Sequence, residues 1–215
     1  GRSLPLEKVS GDYFDILQLE DDVHLVFLAD IMGHGVPAAL YTMMLKTDLY
    51  YLTRFTRSPA ELLARLNERL CQVLFEDYFI TASLLVVELA GTPEIIYANA
   101  GHPPALRVTA GGRVESLETN DLFLGWRPEQ TFTETRLAAR PDDAIVIHTD
   151  GFTDAIARLR DGALPAALVE ETARAGGFDA DNWAEGILAE CRRADAARMV
   201  EDDITIVTVE FPPPA

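Results

Sequence analysis

Short apolar runs separated by tight turns dominate this chain, and that spacing limits the kind of sheet it can build. Residues 23–30 (VHLVFLAD), 79–89, 94–98, 105–109, 113–117, 131–137, 144–149 and 204–211 read as strands. Gly91-Thr92-Pro93 and Gly111-Gly112 supply turns between neighbouring runs. Successive strands joined this closely make largely antiparallel sheets, with the helices gathered on their outsides. The helical stretches are 36–52, with Pro37 in its first turn, the stretch opening at Ser58-Pro59, and two late ones near 164–175 and 182–194. The expectation is an α+β layered domain, not a doubly wound parallel sheet.

At 215 residues the chain can bury one sizeable core. Its formal charge of −17 argues against nucleic acid or an anionic membrane as the main partner, since both reward basic patches. No apolar run approaches the roughly 20 residues that span a bilayer, and no signal segment opens the chain. Cys71 and Cys191 are too few and too scattered for a disulfide framework or a zinc site; they read as buried thiols in helices, suited to a reducing cytoplasm. Residues 1–4 read as a tag or linker remnant, 5–211 as the domain and 212–215 as a tail. The abrupt start suggests the output domain of something longer.

Aspartates stand where strongly apolar strands begin or end: Asp12 and Asp15 in GDYFD, Asp30, Asp150 before Gly151, and Asp202-Asp203 before Ile204. Singly, each is explained as a turn residue or a helix cap. Jointly they change the reading, because antiparallel packing can gather strand ends at one rim. Clustered carboxylates repel by roughly 4 kcal/mol per close pair at an intermediate dielectric unless cations neutralise them. With no His or Cys at ligand spacing, such a site suits Mg²⁺ or Mn²⁺ better than Zn²⁺.

Five segments occur in order: VSGDYFD (9–15), LADIMGHGVPAAL (28–40), YANAGHPPAL (97–106), HTDGFTDA (148–155) and EDDITIVTVE (201–210). Together they resemble the SpoIIE/RsbU-type branch of the PPM (type 2C) protein phosphatases. The resemblance implies an αββα sandwich of two antiparallel sheets flanked by helices. It also implies hydrolysis of phosphoserine or phosphothreonine by a dimetal-activated water, with two Mn²⁺ or Mg²⁺ ions and no phosphoenzyme. The implied substrate is a phosphorylated STAS-domain anti-anti-sigma factor or antagonist of a bacterial partner-switching pathway. An upstream sensor or receiver domain in the same polypeptide would control it. Alternatives are a catalytically silent adaptor on the same fold and a small-molecule phosphohydrolase; retention of the acids weighs against the first.

Carried over by residue, the resemblance makes Asp30 the bridge between metals and the Ile31 carbonyl a further ligand. Asp12, Asp150 and Asp202 are the other acids, Asp203 the alternative to Asp202, and Asp15 stands behind the ligands. His34 is either the proton donor to the leaving oxygen or a polar prop for the glycine turn. Lys8 does not stand in for the phosphate-binding Arg of eukaryotic members. His102 reads as a loop-shaping residue, and His24 and His148 as structural. The helix at 36–52, with Val36, Tyr41 and Met44, is core packing with a partly apolar surface, or else a homodimer or switch surface.

Overall fold

The computed structural model describes residues 1–6, 9–33, 35–75, 78–119, 121–174, 179–195 and 202–211. In chain order the elements are β1 (Arg2–Leu4), β2 (Asp12–Glu20), β3 (Val23–Ile31), α1 (Val36–Leu52), α2 (Pro59–Val73), β4 (Ile80–Glu88), β5 (Glu94–Ala100), β6 (Ala105–Val108), β7 (Val114–Leu117), β8 (Glu134–Ala138), β9 (Ala144–His148), α3 (Asp150–Leu159), α4 (Pro165–Arg174), α5 (Ala180–Asp195) and β10 (Ile204–Glu210). The expected strands and helices all appear, with ends displaced by three residues or fewer. Every strand pairing is antiparallel, as the short turns require. The chain divides into two compact units, each built on one five-stranded sheet.

The first unit comprises Val9–His102 and Thr119–Ala139, with strand order β2-β3-β4-β5-β8. Strand alternation sends Leu25, Phe27, Ala29 and Ile31 of β3 to one face, where they join Leu84 and Val86 of β4 and Ile96 and Ala98 of β5. Helices α1 and α2 close that face with Leu45, Leu49, Leu62, Leu63, Leu66 and Leu70. Helix α2 starts where Ser58 predicts: its side chain accepts a hydrogen bond from the Glu61 N–H at 3.2 Å, and Pro59 follows in the first turn. Its leucines recur at helical spacing, so burial concentrates on one stripe.

The second unit comprises Gly1–Lys8, Pro103–Glu118 and Arg140–Ala215, with strand order β1-β10-β9-β6-β7. Leu106, Val146, Ile204 and Ile206 form its core with Phe152, Ile156, Leu168, Val169 and Leu188 of the late helices. Buried Asp143 pairs with Arg107 and also accepts from the Ala110 N–H at 3.3 Å, so that charge is not left unpartnered in the core.

Two departures from the sequence reading lie in this unit. Residues 1–4, set apart above as a remnant, contain β1, whose Arg2, Ser3 and Leu4 pair with Ile206, Thr205 and Ile204. The ordered sheet therefore begins at Arg2 and not at residue 5. Residues 150–159, given no helix in the sequence reading, form α3, because an acid in a first turn complements the helix dipole and Phe152, Ala155 and Ile156 give it a buried stripe. Cys191 is buried as expected, whereas Cys71 is only partly so. The tail at 212–215 lies outside the described residues.

Truncating a fully buried α2 side chain tests the core of the first unit. Leu66→Ala is expected to cost about 2–5 kcal/mol in urea denaturation, through lost burial plus a residual cavity.

Candidate metal-binding site

The register of β2 on β3 sets the geometry of the first unit's acids. Asp12 is the direct cross-strand partner of Asp30, followed by Phe14 opposite Leu28 and Ile16 opposite Val26. Partners in an antiparallel ladder project to the same face, with Cβ atoms about 4.5–5.5 Å apart. Two half-buried carboxylates thus stand side by side, on the face opposite the one that α1 and α2 cover.

Gly11 explains how close the chain runs here. A Cβ at that position would stand 2.9 Å from the Gly33 carbonyl oxygen and 3.0 Å from that of Ile31. Only glycine lets the start of β2 pass the turn that follows Asp30, and the Ile31 N–H donates to the Gly11 carbonyl at 3.4 Å. The Asp12 N–H is in turn held by Ser10 Oγ at 3.0 Å.

Asp15 does not join this pair. It lies an odd number of residues from Asp12, so it projects to the helix face, opposite Phe27. There it accepts from Tyr13 Oη at 2.7 Å and pairs with Lys46 of α1 at 3.6 Å. Burial and the Asp15 carboxylate push the Tyr13 phenol well above its usual range. Through these contacts Asp15 ties β2 to α1.

On α1, Val36 is exposed, while Tyr41 packs on Tyr78 at 5.4 Å and Met44 packs against the core. Leu40, Met43, Tyr50 and Tyr51 leave an apolar surface on the same helix. His34 and Lys8 lie outside the described residues.

In the second unit the acids meet at the start of α3 and of β10. Thr149 is fully buried; its N–H donates to the Thr205 carbonyl at 3.1 Å and its Oγ1 accepts from the Thr205 N–H at 3.0 Å. That double clip anchors Asp150 beside the Asp202-Asp203 segment. Gly151 completes the approach, since a Cβ there would run into the Asp203 carbonyl oxygen.

The closing pair of acids is not equivalent. Asp203 is 2% exposed, and its Oδ1 accepts from the Leu6 N–H at 2.6 Å. Asp202 is exposed, as is Asp150, and its Oδ1 accepts from the Asp203 N–H at 2.8 Å. Asp203 is thus committed to the fold. His148 is fully buried against Phe152, and burial pushes its imidazole down to about 4, in keeping with a structural role.

Residues that the sequence reading passed over are Thr81, Asn99, Thr149 and Gly151. The available signal was a polar or glycine residue inside an otherwise apolar strand or at its end. All the candidate donors are hard oxygens, a set that fits Mg²⁺ or Mn²⁺. Among the described residues no group of three or more His, Cys, Asp or Glu side chains stands close enough to hold a metal ion.

The sequence profile of the Stage II sporulation protein E (SpoIIE) family matches residues 20–212. The chain belongs to the SpoIIE family. It is 29% identical over 151 residues to the phosphoserine phosphatase RsbP of Bacillus subtilis, covering 68% of this chain and 37% of RsbP. With the phosphoserine phosphatase RsbU of the same organism it shares 28% identity over 153 residues, covering 71% of this chain and 45% of RsbU. It therefore spans less than half the length of either relative.

Among solved structures, the SiaA-PP2C domain of Pseudomonas aeruginosa superposes with a TM-score of 0.82 at 23% identity, over 98% of this chain and 84% of that one. The catalytic domain of the serine/threonine phosphatase PstP, in complex with two manganese ions, gives 0.69 at 14% identity, over 99% and 96%. The PP2C fold implied by the five motifs is the fold found. The SpoIIE profile begins after Asp12, so that acid is tied to the site by its register opposite Asp30.

The inequality of the closing acids is testable. Asp203→Ala leaves the Leu6 N–H without its acceptor and should cost about 1–3 kcal/mol in chemical denaturation. Asp202→Ala, at an exposed position where water can replace the acceptor, should cost distinctly less.

Proposed function

We propose that this chain hydrolyses phosphoserine or phosphothreonine in a protein. In this reading Asp12, Asp30, Asp150 and Asp202 are ligands of two Mn²⁺ or Mg²⁺ ions, with the Ile31 carbonyl as a further donor. The observation that carries it is the direct opposition of Asp12 and Asp30, in a chain of the SpoIIE family. Paired carboxylates raise the energy of an unliganded strand end, and a divalent cation removes that cost. When bound, the two cations supply a water activated at neutral pH and positive charge for the phosphoryl oxygens.

The chain's own contribution is position. Asp30, at the end of β3, would hold the ions through its carboxylate, the bridging role that the family resemblance assigns it. Gly11 lets Asp12 approach it, and the Thr149 clip with Gly151 holds Asp150 against the segment that carries Asp202. Asp203 keeps that segment in place through Leu6.

The kinship with RsbU and RsbP supports a finer reading. The substrate is a phosphorylated STAS-domain protein of a cytoplasmic partner-switching pathway that regulates a sigma factor. The chain is the output domain of a longer protein, whose sensor or receiver domain, or a homodimer, acts through α1. Among the described residues no helix is long and apolar enough to cross a membrane.

With Mn²⁺ the protein should hydrolyse p-nitrophenyl phosphate and a phosphoserine STAS-domain protein, and chelation with EDTA should abolish both activities. Asp30→Asn and Asp150→Asn should each lower kcat/KM by more than the roughly 10–100-fold typical of residues that merely support ligands, with unchanged circular dichroism. Near-normal activity in either variant contradicts the assignment.

A further inference from the structure

Asp30 has a neighbour on each side. Across β2–β3 it faces Asp12, and across β3–β4 its direct partner is Thr81. The three residues form one row on the face turned away from α1 and α2, and neighbouring Cβ atoms of such a row are about 4.5–5.5 Å apart. Thr81 is half-buried near the end of β4, a strand otherwise composed almost wholly of buried apolar residues. Its Oγ1 stands 2.8 Å from Nδ1 of His102.

His102 is 5% exposed, and its backbone is held on both sides. The His102 N–H donates to Asn99 Oδ1 at 2.8 Å, and Asn99 Nδ2 donates to the His102 carbonyl at 2.9 Å and to Tyr97 Oη at 2.8 Å. Asn99 and Tyr97 are buried on β5. Gly101 takes φ 65°, and a Cβ there would lie 2.9 Å from the Phe123 nitrogen. The loop is thus closed by Asn99 and Gly101 through the backbone. The imidazole reaches Thr81, the β4 residue directly opposite Asp30.

We propose that His102 is a positioning residue for the Asp30 carboxylate, acting through the Thr81 hydroxyl. A threonine hydroxyl in a strand has more than one rotamer open to it. The bond to Nδ1 selects one, and so presents a fixed polar neighbour to the carboxylate that must be held for a divalent cation. Supporting bonds of this kind orient metal ligands and raise affinity. The inference rests on the two-metal reading given above, and its test separates the two.

The test is Mn²⁺ affinity of the full chain, followed by the electron paramagnetic resonance signal of free Mn²⁺, alongside the melting temperature without metal. Thr81→Val keeps the shape and removes the hydroxyl; His102→Ala removes the ring. Each should weaken Mn²⁺ binding about 10-fold. The double variant should be no weaker than either single one, because both break the same link. Thr81→Ser and His102→Asn, which restore a polar atom near the lost one, should recover most of the affinity.

Wild-type affinity in Thr81→Val overturns the proposal, as does a double variant whose losses multiply. Should His102→Ala not fold, the Val and Ser variants at position 81 decide. If the wild type binds Mn²⁺ and Asp30→Asn does not, while Thr81→Val binds normally, only this inference falls. If the wild type binds no Mn²⁺, the two-metal reading falls with it.

Discussion

The pairing register of β2 against β3 is the constraint on which the site depends. It places two carboxylates directly opposite one another at a strand end, an arrangement that costs energy unless something positive lies between them. A slip of one residue would send Asp12 to the helix face and Tyr13 to the other, exchanging a charge for part of the core. Leu17 of β2, buried in the core with Tyr13 and Leu19 packed against it, holds that register, since a one-residue slip would turn all three off the core face. Core packing and site geometry are therefore one constraint seen from the two faces of a sheet.

Much of this was legible in the sequence because period and turn spacing are local properties. The strands from Val23 onward, helices α1 and α2 and the antiparallel topology follow from apolar runs and short connections. Asp12 and Asp30 could be named as strand-end acids, and the family motifs gave them roles. The failures have physical causes. Asp15 was given a place behind the ligands by resemblance; its odd separation from Asp12 sends the two to opposite faces of the strand. Helix α3 was passed over because Asp150 and Gly151 drew the reading to a strand-end acid, while the apolar spacing of Phe152, Ala155 and Ile156 that carries the helix is short. A strand as short as β1 has no period to read and is defined only by its partner β10.

What stayed hidden were contacts between segments distant in sequence. Leu6 and Asp203 lie 197 positions apart, and no local pattern reveals that one acid of an adjacent pair is used to hold the chain terminus. The same holds for Thr149 on Thr205 and for Thr81 on His102. These links divide similar residues by burial: Asp202 is exposed, and its buried neighbour Asp203 is part of the scaffold. The glycines at 11 and 151 belong to the same scaffold, because each lets backbone approach backbone beside an acid.

The central claim is that the strand-end aspartates are the ligands of divalent cations. Crystals grown with Mn²⁺ and measured at the manganese absorption edge test it most directly. The account predicts two anomalous peaks, both in contact with Asp30, with Asp12, Asp150 and Asp202 among their remaining ligands. An absence of peaks at Asp30, or Mn²⁺ bound only at other surface acids, would contradict it.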